Sequence, residues 1–145
     1  MNNYITPEFR AGLIVDLQTY HKLCEEILAL SVRENVALSG QTDYQTSEFH
    51  QKRKSLLPNL ESVSNKLRQR RIIWQQASAS ERAQCHEAKA LFQNIQSLLM
   101  KMLLLDRENQ QAMLRRGLVP IRHLPAAAVQ QPHYVAGLYQ RNFTG

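Results

Sequence analysis

His21 and Cys24 stand one helical turn apart, and Cys85 is followed directly by His86, so the 145-residue chain carries two pairs of soft ligands. Four such ligands in a tetrahedron would make a zinc site. The spacing argues against one. No CxxC or HxxxH accompanies these residues, and Cys24 falls on an apolar helical stripe, where a free cysteine packs as a small hydrophobe. Glu25 and Glu26 are adjacent, so on a helix they diverge instead of pairing for acid–base work. There is no glycine-rich phosphate loop and no nucleophile elbow. No catalytic residue, metal or cofactor is therefore expected, and the chain does not read as an enzyme.

Charge supplies a different chemistry. Residues 51–71 contain Lys52, Arg53, Lys54, Lys66, Arg68, Arg70 and Arg71 against one acid, Glu61, which equals the net charge of +6 of the whole chain. Such a segment suits an acidic partner, nucleic acid or a solvated helix face. Trp74 could stack on a base, but its place on an apolar stripe favours a core aromatic, and no nucleic-acid-binding motif accompanies the charges. Nucleic acid is the weakest of the binding readings.

The elements that position these residues are helices. "TPEF" offers Thr6 as an N-cap, Pro7 at the first helical position and Glu8 in the first turn. Leu13, Leu17, Tyr20, Cys24 and Ile27 then recur in fours and threes, and Gly40 ends the segment. A second helix is expected from about Ser47 to Gln76, with Phe49, Leu56, Leu60, Val63, Leu67 and Trp74 on one face. Pro58 lies within it and should kink or split it. Ser78 and Glu81 are spaced as a capping box. A last helix carries Ala88, Leu91, Phe92, Ile95, Leu98, Leu99, Met102 and Leu105 on a broad stripe, with two arginines and Gly117 at its end. No strand alternation or internal repeat appears. The expected fold is all-α: two or three long antiparallel helices forming a coiled-coil-like bundle, with a Pro-containing C-terminal tail. Residues 1–117 form the bundle domain and 118–145 the tail.

Two features resist a purely structural account. The four-three spacing of the last helix, continued beyond Met102 and Leu105, lands on Asn109, so a polar residue occupies a core position. It either fixes register or bonds a bound chain. The tail has no acid yet holds Leu118, Val119, Ile121, Leu124, Val129, Tyr134, Val135, Leu138, Tyr139 and Phe143. Disordered tails are depleted in such residues, so this one either covers the bundle or docks on a partner. Two cysteines make no disulfide framework, the opening "MNNYITPEF" is not a secretory signal, and no apolar run approaches a membrane span. A cytoplasmic protein with no membrane insertion is expected.

The long first helix, "KRKSLLPNLESV" in the second and "LLMKMLLLDRENQQAMLRRG" in the third resemble the FlgN family of flagellar type III export chaperones. The similar residues are a basic residue before a Leu-Leu pair (54–57) and an asparagine-containing apolar seam (109–114), followed by a tail. The family's paired asparagines are not both present, since Gln110 and Gln111 follow Asn109. The resemblance implies a cytoplasmic chaperone whose partners are hook-associated proteins and the export apparatus. Asn109, Met113, Leu118, Val119 and Ile121 would then lie near the client, with Tyr134, Leu138 and Tyr139 as tail anchors. The alternative is a scaffolding coiled coil that forms homo-oligomers through its tail.

Overall fold

The computed structural model describes residues 4–40 and 46–118. Over these residues the chain is all helical: α1 (Pro7–Ser39), α2 (Thr46–Gln76), the short α3 (Ala79–Ala83) and α4 (His86–Arg115). Consecutive long helices run antiparallel. Asp16 pairs with Arg70 and Glu34 with Arg53, so α2 descends as α1 climbs, whereas Asn35 meets Asn109, so α4 climbs beside α1. Helix α1 packs closely against both of its long neighbours and is the central element.

The ends follow from local chemistry. Thr6 Oγ1 accepts from the N–H of Phe9, and the Gly40 N–H donates to the Val36 carbonyl. Helix α2 runs unbroken through Pro58. Pro58 and Lys54 are both solvent-exposed, so water can satisfy the Lys54 carbonyl that the proline leaves without a donor. Pro58 therefore does not split the helix. The capping box is present, with the Ser78 hydroxyl accepting from the Glu81 N–H and the Glu81 carboxylate returning to the Ser78 N–H. At the far end, Gly117 adopts φ +73°, and its N–H and that of Leu118 donate to the carbonyls of Leu114 and Met113. That pattern is a Schellman cap, and the left-handed backbone explains the glycine.

One end of the core is apolar. Leu13, Leu17, Tyr20, Cys24 and Ile27 of α1 meet Val63, Leu67 and Trp74 of α2 and Ala88, Phe92, Ile95, Leu99 and Met102 of α4. Trp74 and Phe92 lie edge to face at 5.9 Å. Ile5, Ala77 and Cys85 close the corner beside α3. The Ile5 N–H donates to Glu81 Oε2 at 3.0 Å, tying the start of the described chain to the α3 cap. Each large apolar side chain here contributes about 1.5–3 kcal/mol by leaving water.

Candidate binding site

The four-three seam of α1 does not stop at Ile27. The next positions in the series are Ser31, Glu34 and Leu38, and all three are buried. The α2 seam has its own polar member, Arg53, four residues after Phe49 and three before Leu56. Arg53 is 1% exposed, and Glu34 and Asn109 are fully enclosed. The polar residues of each seam would be costly alone; together they satisfy one another.

Arg53 Nη2 donates to Glu34 Oε1 at 3.0 Å and to Ser31 Oγ at 3.0 Å, while its Nη1 donates to Glu34 Oε2 at 3.3 Å. Asn109 Nδ2 donates to the Ser31 carbonyl at 3.0 Å and to Glu34 Oε1 at 3.4 Å. Its Oδ1 accepts from Asn35 Nδ2 at 2.9 Å. All three long helices are thus joined in one polar layer. One turn farther along α1 and α4, Leu38 and Met113 are buried again. A layer of this kind adds little net stability, because desolvating the ion pair offsets its attraction. Its effect is on register, since any slide of one helix leaves a charge without a partner.

Asn109 and Met113 accordingly belong to the interior of the bundle and present no surface to a client in this arrangement. Leu118 is half-buried beyond the Schellman cap. Val119, Ile121, Tyr134, Leu138 and Tyr139 lie outside the described residues. The sequence reading missed Ser31, Glu34 and Arg53. Extending the α1 and α2 periodicities by the step used for α4 would have found them.

The basic segment changes character. Arg53 is consumed by the polar layer, and Arg70 Nε holds Asp16 Oδ2 at 2.6 Å while its guanidinium lies 5.8 Å from the Phe9 ring centre. Lys52 pairs with Glu48 one turn away. Trp74 is fully enclosed, which removes the proposed stacking surface for a base. The soft ligands fare likewise. Cys24 and Cys85 are buried, burial pushes the Cys24 thiol up to about 12, and His21 Nδ1 sits 2.7 Å from Glu25 Oε1. Among the described residues no group of three or more His, Cys, Asp or Glu could hold a metal ion.

What remains open is a cleft beside α1 and α4. Glu25, Leu28, Ala29, Val32 and Arg33 of α1 and Leu98 of α4 line a volume of about 510 Å³. Val32 is 48% exposed and Val36, one turn on, is 67% exposed. Ala29, Val32 and Val36 follow the three-four spacing of a helix, so α1 carries a second, uncovered apolar stripe besides its core seam. A second set of exposed apolar residues, Met100, Leu104 and Leu114, lies on α4. No described helix is long and apolar enough to cross a membrane.

Compared with protein-family models, curated proteins and solved structures, the chain finds no match in any of the three.

Proposed function

We propose that this chain is a cytoplasmic export chaperone of the flagellar type III system, a non-enzymatic protein that covers an amphipathic helix of a hook-associated client. The observation that carries the reading is the cleft of Leu28, Ala29, Val32 and Leu98, continued by exposed Val36. An open apolar face of this kind is the sort of surface on which an amphipathic helix can lay side chains at i, i+3, i+4 and i+7. The likeness of the three helical segments to FlgN-type chaperones and the acid-free apolar segment 118–145 support it. Covering such a client helix would prevent its premature assembly, and the bundle needs no covalent chemistry to do so.

The test is co-expression of the full chain with hook-associated proteins from the same genome, followed by size-exclusion chromatography of the complex. A one-to-one or higher complex that Val32→Asp weakens at least tenfold is the expected result. Absence of a complex with every hook-associated protein would end the proposal. Raising the salt should leave a groove-bound client largely in place, whereas a nucleic-acid ligand would be released.

A further inference from the structure

The two halves of α2 are held to the bundle by different forces. From Val63 onward the seam is apolar, with Val63, Leu67 and Trp74 buried and the Trp74 ring edge to face with Phe92 at 5.9 Å. Among residues 48–62, by contrast, Arg53 alone is buried, while Phe49, Leu56, Leu57 and Leu60 are half-buried. The first half is therefore seated on α1 by a charged group, through the bonds of Arg53 to Ser31 and Glu34, with Leu56 packed at the edge of the core. Lys52 and Glu48 pair with each other inside that half.

Pro58 stands between the halves. It has no N–H to donate to the Lys54 carbonyl, so one rung of the helix is missing where the polar seam gives way to the apolar one. Lifting residues 48–57 from α1 returns Arg53 and Glu34 to water together, and their recovered hydration offsets the attraction that is lost. Neither charge is left buried alone. Lifting Val63, Leu67 and Trp74 would instead expose apolar surface with nothing in return. A helical piece of about ten residues is marginal by itself in water, so a lifted piece also unravels. We propose that residues 48–57 form a lid hinged at Pro58, which opens as a unit over Ser31 and Glu34 while residues 63–76 stay packed. The open lid presents the Ser31 hydroxyl and the Glu34 carboxylate, with Asn109 bonded beside them, as a polar surface that the closed bundle hides. This lid is independent of what the chain binds.

Hydrogen exchange of the full native chain, read residue by residue by NMR in low urea, tests the lid. The amides of residues 50–57 should share one opening and exchange about tenfold or more faster than those of residues 63–74. Their rates should depend weakly on urea, whereas residues 63–74 should follow global unfolding. Leu67→Ala, which lies outside the lid, should speed exchange at residues 63–74 by about tenfold or more. It should leave residues 50–57 within about twofold of the native rates. Pro58→Ala restores the missing donor and should slow residues 50–57 by about tenfold or more. Protection that rises residue by residue from the start of α2, with no step before Val63, is the fraying of a helix end and would overturn the lid. Lid amides that share the urea dependence of residues 63–74, or that answer Leu67→Ala equally, would overturn it too, because α2 would then open only as a whole. A lid rate unchanged by Pro58→Ala would remove the hinge and the lid with it.

Discussion

Asn109 reaches across to Ser31, 78 residues away in sequence, and its Nδ2 donates to the Ser31 carbonyl at 3.0 Å inside the bundle. The same amide also touches Glu34 and receives Asn35, so α4 is fastened to α1 by one side chain. Asn109→Ala should cost about 1–3 kcal/mol, the range for leaving buried polar groups without a partner. Asn109→Asp should cost more at neutral pH, because it places a second carboxylate beside Glu34, and the excess should fall as the pH is lowered. Urea unfolding followed by circular dichroism at two pH values measures both.

Arg53 and Glu34 form a buried pair, and removing one partner differs from removing both. Arg53→Met should destabilise by about 3–5 kcal/mol, since it removes the cation that offsets the buried carboxylate of Glu34. The double variant Arg53→Met/Glu34→Met should recover most of that loss. A double-mutant cycle from denaturant unfolding gives the coupling, and a double variant as unstable as the single one would show that the charges do more than satisfy each other.

Gly12 is shaped by Arg70. A Cβ at position 12 would stand 2.5 Å from Arg70 Nη2, so alanine there must shift the guanidinium that pairs with Asp16 and lies near the Phe9 ring. Glycine to alanine inside a helix ordinarily gains about 1 kcal/mol. In the native chain the shifted guanidinium should offset part of that gain. In an Arg70→Ala background the gain should reappear, and thermal or urea unfolding of the four proteins reads the difference.

Glu81 accepts from the backbone N–H groups of Ile5 and Ser78, and the bond from Ile5 is the leading reason that its carboxyl ionises below its usual range. A folded-state value below the unfolded one contributes stability above the unfolded pKa, and that contribution is lost as the pH falls through the acid range. Glu81→Gln should therefore weaken the fold at pH 7 and converge on the native chain as the pH falls through the acid range. Unfolding midpoints across that window check the sign, and curves that stay parallel would remove Glu81 from the acid response.

Much of the architecture could be read from residue order because helix ends and seams are local. Thr6 and Pro7, the Ser78–Glu81 pair and Gly117 each act within a turn of their own position, so their roles survive without knowledge of the neighbours. Asn109 was legible as an anomaly for the same reason, since it breaks a spacing visible in its own helix. Its pairing was not. The four-three step places Glu34 and Arg53 on the seams of their own helices, but that they meet each other and Asn109 is a property of packing. Arg70 and Asp16 show the same limit at the other end of the α1–α2 hairpin. The α1–α4 cleft escaped because Ala29, Val32 and Val36 lie off the core seam, where isolated small apolar residues carry no signal.

The polar layer also has a consequence for how such a chain can vary in length. Arg53 must stay in phase with Val63 and Leu67, and Glu34 with Leu17 and Tyr20, for charge and core to close together. Adding or removing a single residue within either span turns the helix beyond it by about 100° and carries the charged group off the seam. Residues inserted between Gly40 and Thr46 change neither phase. Length changes should be tolerated in that connection and rejected inside the helices, which makes the buried ion pair a reading frame for the bundle.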